Sequence, residues 1–533
     1  MLNIKNKYRI VICFALITAL LFLCATRIFM VNSEGYTEVQ QQMSSYRLTL
    51  SKLRGTIFDC KMKPITNSST YTVSAFLPNE TAALAAARLQ SDNSGRVLAS
   101  LKKGLPDFLI TENAIDNYGV YSTSVYENTP DNMLCPQLIG YLDADGHGVS
   151  GLQKAYDSLL YSGEEHSLLV ATNGLGEPLA GGEFIETLNK SIINSGLKLT
   201  IDSDIQEIVA RCMEAVECGA AVVSEVGSGK IRAMVSIPEF NAKRAADYLE
   251  NENSPFINRA LTAYNVGSVF KPCVAAAAIE GGLSNYTCRC LGIAEFSGHQ
   301  FRCHSSAGHG TLNLTDALAY SCNVFFYNIA ASLGADNVFN MASSLGFSRG
   351  YEIAEGISCS AQLTNVSILR SNERALVNLS IGQGDLMLSP VSILSLYEAI
   401  ANGGIYRPQT VIEGTVINGA TKQTAPKNPT RIMSVDTAER IKNDLSAVLE
   451  YGTGTAAMPE FVSAAGKTAT AQTGWRKNGE IVENSWFCGF FPKDNPKYVV
   501  AVLIEASKGK EDTAAPIFSD IADGITVLEN SKK

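Results

Sequence analysis

Asn265-Val266-Gly267-Ser268-Val269-Phe270-Lys271-Pro272 is the stretch on which the reading of this chain turns. Ser268 and Lys271 stand three residues apart, and on a helix residues i and i+3 share a face, so the amine can reach the hydroxyl. A serine attacks poorly until a base takes its proton, and a partly desolvated lysine with a lowered pKa can be that base. Gly267 allows a tight turn into the helix, whose N-terminus favours negative charge developing on the serine oxygen. S-x-x-K alone is a weak signal, since the pattern arises by chance in long chains. Ser321-Cys322-Asn323 follows further along, and Lys467-Thr468-Ala469-Thr470 comes later still, in an apolar run that reads as a strand.

S-x-x-K, S-x-N and K-T-G in that order form the signature of penicillin-binding proteins and serine β-lactamases. Arg54-Gly55-Thr56-Ile57-Phe58-Asp59 resembles the R-G-x-I-x-D opening of the non-catalytic domain of class B penicillin-binding proteins. Gly140-Tyr141, Gly151-Leu152-Gln153 and Tyr156-Asp157 resemble its later block. Leu199-Thr200-Ile201-Asp202-Ser203-Asp204-Ile205-Gln206 is similar to the start of the transpeptidase domain. Ile381-Gly382-Gln383-Gly384 and Gly452-Thr453-Gly454-Thr455-Ala456 match further loops. From roughly residue 50 to 530 the chain resembles a short class B penicillin-binding protein, a peptidoglycan D,D-transpeptidase.

The resemblance implies an α+β fold, with an antiparallel sheet covered by helices on both faces and a mostly helical insert carrying Ser268 and Ser321. It implies a catalytic set of Ser268 as nucleophile, Lys271 as base, Ser321 as proton shuttle and Asn323 as a hydrogen-bonding partner of Lys271 and substrate. Lys467 and Thr468 would receive the terminal carboxylate of a D-Ala-D-Ala stem peptide or of a β-lactam. The backbone amides of Ser268 and Thr470 would form the oxyanion hole. This chemistry requires no cofactor. Ala469 departs from the family's glycine, and its methyl group is expected to crowd the substrate and slow reaction with bulky β-lactams. A catalytically weak scaffold of the cell-wall machinery, or a membrane β-lactam sensor, is the alternative function.

Composition bounds the rest. The 533 residues are 46% hydrophobic, enough for one large core and a smaller one, and the net charge of −9 argues against nucleic-acid binding. Five histidines and the lack of a G-x-S-x-G elbow disfavour a Ser-His-Asp hydrolase. Lys5, Lys7 and Arg9 precede an uncharged run from Ile10 to Thr26, which with a snorkelling Arg27 reads as an anchor over 10–31. Residues 1–9 would then be cytoplasmic, with Glu34 and Glu38 on the far side, and the remaining chain extracytoplasmic on a single-pass cell-membrane protein. A non-catalytic dimerisation or pedestal domain is expected over 36–190 and the transpeptidase domain over 195–533. Thr81 to Leu101 reads as one helix, and Asp143 to Gly148 as an ordinary turn rather than a calcium loop. No glycosyltransferase segment is read, so glycan polymerisation would fall to a separate partner.

Of the thirteen cysteines, Cys288, Cys290 and Cys303 cluster with His304 between the two serine motifs. Two readings stay open there. Sulfur and imidazole at short spacing suit a structural tetrahedral Zn²⁺, and an oxidising exterior suits a Cys290–Cys303 disulfide.

Overall fold

The computed structural model describes residues 4–33, 45–89, 93–179, 181–477, 480–507 and 513–532. They fall into two compact units. A smaller one gathers Met1–Leu53, Thr70–Tyr126 and Gly163–Asn189; the larger gathers Arg54–Ser69, Glu127–Ser162 and Lys190–Lys533. The stretch expected as one domain over 36–190 is therefore shared between the two, and its first residues, 36–44, lie outside the described ones.

The motifs that drew attention in this stretch explain the sharing. Arg54 is 2% exposed and spends its guanidinium on Gln153 Oε1 at 2.7 Å, Gln153 O at 2.8 Å, Gly146 O at 2.9 Å and the Asp157 carboxylate at 2.8 Å. Asp59 accepts from the backbone N–H groups of Lys61 and Lys63, each at 2.8 Å, and from that of Ser203 at 3.3 Å. A buried guanidinium needs every donor satisfied, and these partners come from segments remote in sequence. The Arg54–Asp59 and Gly151–Asp157 motifs are thus clasps within the larger unit.

The smaller unit holds a three-stranded sheet in which Thr70–Phe76 lies between Asp107–Thr111 and Val120–Tyr126. Phe76 and Leu109 pack there with Ala82, Ala85 and Ala86 and with Val97 and Leu101. The last two groups belong to two helices, Glu80–Arg88 and Ser94–Lys102, where one was expected. Ser91, Asp92, Asn93 and Ser94 interrupt the alanine-rich run with residues that compete for backbone hydrogen bonds. At Asp143 the expected turn is present, its carboxylate accepting from the N–H groups of Asp145 and His147, each at 2.9 Å.

Ile4–Ser33 is a continuous helix. Its side chains are described from residue 11 to 27, and the apolar ones are bare: Phe14 is 72% exposed and Phe22 71%. Among the described residues, no helix is long and apolar enough to cross a membrane.

The larger unit is built on a five-stranded antiparallel sheet: β1 (Gly219–Glu225), β2 (Lys230–Ile237), β3 (Ala465–Lys477), β4 (Glu480–Phe491) and β5 (Tyr498–Ile504), in the order β2-β1-β5-β4-β3. Val499 to Leu503 are wholly buried, the continuous apolar run of a central strand covered on both faces. α1 (Ser203–Cys212) and the closing helix Ala514–Ser531 pack together on the sheet. α2 (Lys271–Glu280), α3 (Leu314–Ala319) and α4 (Asn323–Leu333) belong to the insert, and α5 (Pro390–Ala401) packs against β1, β4 and β5. All 12 residues of α5 are buried, and Ala275 to Ala278 let α2 be enclosed on every side. The expected α+β architecture is the one observed. β3 is an edge strand, so its outer backbone edge is unpaired by the sheet.

Replacing Arg54 by alanine takes the guanidinium from Gln153 Oε1, Gln153 O and Gly146 O and removes one partner of the Asp157 carboxylate, which keeps the Gly148 N–H and His147 Nδ1. The change should cost roughly 3 kcal/mol and lower the thermal midpoint of the larger unit, measured by differential scanning calorimetry. An unshifted midpoint would mean that the clasp contributes nothing.

Candidate active site

The chain enters α2 through a 3₁₀ turn, Gly267–Phe270, and Lys271 is the first residue of the helix proper. Side chains at i and i+3 eclipse on a 3₁₀ turn, so Ser268 and Lys271 project to one side. Gly267 is left-handed, with φ +59°, and its N–H donates to Gly382 O at 2.9 Å. The contact is so close that a Cβ on Gly382 would lie 2.0 Å from Gly267 O. The Ile381–Gly384 loop is therefore the seat of the nucleophile turn, and glycine is required because backbone meets backbone.

Lys271 is fully buried, and its Nζ donates to Ser321 O at 2.6 Å, Asn323 Oδ1 at 2.7 Å and Ser321 Oγ at 3.2 Å. The ammonium also lies 5.4 Å from the centre of the Phe326 ring. Burial lowers its pKa to about 7, with Cys322 and Cys303 opposing the shift. Ser268 is half-buried; its carbonyl accepts from the Lys271 N–H, and among the described residues its hydroxyl makes no hydrogen bond. Lys271 can serve it only after releasing an acceptor, and the longest of its three bonds is to Ser321 Oγ.

Ser321 owes its position to a helix ending. Its N–H bonds Leu318 O at 3.1 Å and the Cys322 N–H bonds Ala317 O at 2.9 Å, the paired closure that normally puts glycine in the left-handed position. Here a serine holds it, at φ 54°. A non-glycine residue there costs on the order of 1 kcal/mol or more, and in return both the carbonyl and the hydroxyl of Ser321 face Lys271. Cys322 caps α4, its Sγ accepting from the Phe325 N–H at 3.5 Å, and Asn323 follows as the first residue of the helix.

Across the cleft, β3 presents Lys467, also fully buried, with Nζ 3.1 Å from Thr468 O and 3.4 Å from Thr453 Oγ1. Burial, reinforced by repulsion from Lys271, pushes its pKa well below the ordinary lysine value. Thr453 and Thr468 share a hydroxyl–hydroxyl bond of 2.8 Å. Thr453 is a member of the cleft that the sequence reading left without a role. It is brought in by the Gly452–Ala456 loop, whose Thr453 N–H donates to Ala319 O at 2.9 Å. Thr470 is exposed on the same strand, paired with Ser485. Trp486 and Phe487 are core, as expected, and the indole N–H of Trp486 ties down Asn265 O at 3.0 Å.

The surroundings of Ala469 and of the cysteine cluster bear on two expectations. Alternation along β3 puts Ala469 on the buried face with Lys467 and Ala471, and Ala469 is 6% exposed. A Cβ built on Gly267 would lie 3.3 Å from the Ala469 methyl, so that methyl packs beneath the nucleophile turn. Among the cysteines, the residues brought together are Cys290, Cys303, His309 and Cys322. Cys288 is two residues from Cys290 on an extended strand, about 6.6 Å away along the chain, and stays out of the group. His304 stands beside the group and outside it, with Nδ1 3.9 Å from Cys303 Sγ and its ring centre 5.0 Å from that of His309. All thirteen cysteines are free thiols, so the Cys290–Cys303 bridge is not formed.

Ala469→Gly should therefore leave the acylation rate with bulky and compact β-lactams alike essentially unchanged, while costing about 0.5–1 kcal/mol of stability through a freer backbone. Stopped-flow acylation paired with thermal melting checks both halves. A marked acceleration confined to bulky β-lactams would return the methyl to the substrate's path.

Comparison with known proteins agrees with this geometry. Residues 219–523 match the family described as "Penicillin binding protein transpeptidase domain". Stage V sporulation protein D of Bacillus subtilis is 29% identical over 433 residues, covering 76% of this chain and 65% of that protein. Penicillin-binding protein PbpB of Mycobacterium tuberculosis is 27% identical, covering 75% and 62%, and peptidoglycan D,D-transpeptidase MrdA of Acinetobacter baumannii is 26% identical, covering 70% and 60%. The chain thus spans less than two thirds of the length of these relatives. Among solved structures, penicillin binding protein 3 of Mycobacterium tuberculosis, complexed with aztreonam, shares the fold at a TM-score of 0.67 and 22% identity, covering 91% of this chain and 97% of that one. With the three motifs converging on one cleft inside the matched region, the chain belongs to the penicillin-binding protein transpeptidase family.

Proposed function

We propose that this protein is a peptidoglycan D,D-transpeptidase working through an acyl-serine, and that β-lactams inhibit it by acylating the same serine. The observation that carries the reading is the buried Lys271 amine, held by Ser321 and Asn323 one tight turn beyond Ser268.

The geometry supplies a sequence of steps. Ser268 Oγ attacks the carbonyl carbon of the penultimate D-Ala as Lys271 Nζ takes its proton. The oxyanion is received by the backbone N–H groups of Ser268 and Thr470, donors whose loss typically costs about 3–4 kcal/mol of transition-state stabilisation. The C–N bond then breaks, and the terminal D-Ala leaves with a proton relayed through Ser321. An acceptor amine from a second stem peptide attacks the ester, giving its proton back to Lys271, and Ser268 is regenerated. Lys467, Thr468 and Thr453 hold the substrate carboxylate, and the extended peptide lies along the open edge of β3. Water in place of the amine gives residual D,D-carboxypeptidase activity. No step calls for a cofactor.

Fluorescent penicillin should label the chain, and mass spectrometry should place the adduct on the Ser268 peptide. Labelling that survives Ser268→Ala would remove Ser268 from its role. Lys271→Ala should slow acylation roughly a thousandfold, the scale of a lost general base. Because burial lowers the Lys271 pKa, its neutral, proton-accepting form grows as pH rises through about 7. The acylation rate should climb across that interval and then level, and a flat profile would mean another base.

We further propose that the segment 10–31 anchors the chain in the cytoplasmic membrane, with the cleft outside and a separate glycosyltransferase supplying the glycan; side chains are described there only over 11–27, so the described part alone is short of a full span. The bare apolar side chains of the helix support this placement. The smaller unit, which contributes no cleft residue described above, is read as a non-catalytic pedestal. The full chain should stay with membranes through an alkaline carbonate wash, and release into the supernatant would count against the anchor.

A further inference from the structure

Three cysteines and a histidine from four pieces of the insert converge behind the Ser321 turn. Cys290 ends the strand Cys288–Cys290, Cys303 follows the strand His299–Arg302, His309 precedes the strand Gly310–Leu312, and Cys322 caps α4. One donor atom from each lies within 4.8 Å of all the others. Cys303 Sγ stands 3.9 Å from Cys322 Sγ and 3.6 Å from His309 Nδ1. With Zn–S bonds of about 2.3 Å and Zn–N bonds of about 2.05 Å, a tetrahedral site has S–S edges of about 3.8 Å and S–N edges of about 3.6 Å. The two spacings match.

The surroundings are those of a built site. Cys290, Cys303 and Cys322 are 1%, 8% and 0% exposed. The His309 N–H bonds Cys290 O at 3.2 Å, and the Cys303 N–H bonds Gly292 O at 2.9 Å, so the backbone fixes the ligands relative to one another. Gly292 and Gly308 are left-handed, and a Cβ on them would lie 2.2 Å from Ser306 O and 2.3 Å from Cys290 O; the loop can close this tightly only with glycine there. The Phe325 N–H donates to Cys322 Sγ, the kind of outer bond that orients a ligating sulfur. A disulfide would use two of the three thiols and leave one thiol and the imidazole stranded.

We propose that Cys290, Cys303, His309 and Cys322 bind one Zn²⁺, and that this metal is a structural clip on the active site. Binding displaces the thiol protons to solvent, and no electron is transferred. Cys322 lies between Ser321 and Asn323, so a bond from its sulfur to a metal held by the 290–309 segment fixes the left-handed turn that aims both residues at Lys271. The four ligands are positioning residues and touch no reacting atom.

The test uses the full chain, purified in detergent under reducing conditions without added metal. Elemental analysis should find one zinc per chain, and Co²⁺ exchanged into the protein should give the intense visible bands of tetrahedral thiolate coordination. His309→Ala and Cys303→Ser should lose the metal, while Cys288→Ser and His304→Ala should keep it. If the ligand variants misfold, wild type stripped with a zinc chelator takes their place: its acylation by penicillin should slow about tenfold or more, the scale on which losing a group that orients a working residue acts, and recover when Zn²⁺ is returned. A metal-free chain that also fails to take up Co²⁺, or a mapped Cys290–Cys303 bridge, overturns the proposal. Acylation that ignores chelation overturns the clip. Metal content is read without penicillin, so failure of the site and failure of the acylation chemistry remain distinguishable.

Discussion

Two amines, each without a carboxylate counter-ion among the described residues, are buried in one cleft, and the rest of the site follows from keeping them there. Removing an ammonium from water costs several kcal/mol even after relaxation. Lys271 offsets the cost with three oxygens, two of them from Ser321. Its pKa drops to about 7, which makes it a base at neutral pH. Lys467 has weaker support, a carbonyl and two hydroxyls, and repulsion from Lys271 lowers its pKa further. A substrate carboxylate arriving at Lys467 would relieve that repulsion, which couples binding at one end of the cleft to proton transfer at the other.

Conformational strain is accepted in the same place. Ser321 holds a backbone position that suits glycine, and nothing in the helix ending demands a side chain there. Its hydroxyl and carbonyl are what Lys271 needs. Around this point the structure brings backbones together through glycine, at Gly382 beneath Gly267 and at Gly452, where a Cβ would lie 2.3 Å from Ala319 O. The loops flanking the three motifs are therefore spacers of fixed thickness, which hold the motifs at working distance.

Much of this was legible in the sequence, and the illegible part has physical reasons. The i, i+3 spacing of Ser268 and Lys271 reads directly, because both lie on one local element. So do the strands of the sheet, through their apolar runs and the turn residues between them. Arg54 announces itself as part of a motif, yet its partner Gln153 comes from a distant segment, and no local periodicity links the two. The zinc ligands illustrate the same limit. Spacing favours Cys288 and His304, whereas strand pairing of Cys290 with Gly310 brings in His309, and Cys322 is concealed inside a catalytic motif. For Ala469, a strand's alternation says that it shares a face with Lys467, and not that its methyl packs beneath the Gly267 turn.

The bare edge of β3 has one more consequence. Backbone hydrogen bonding to an edge strand is indifferent to side chains and accepts any extended chain that comes alongside. Thr470, Gln472 and Arg476 are exposed along that strand, and so is the indole of Trp475. Under the proposed function, discrimination falls to the terminus of the guest, where the buried amine of Lys467 and the paired hydroxyls of Thr453 and Thr468 would form a fixed stop. On that reading a chain that slides along the edge is registered by its carboxyl end, and the strand would work as a ruler whose zero mark is a lysine.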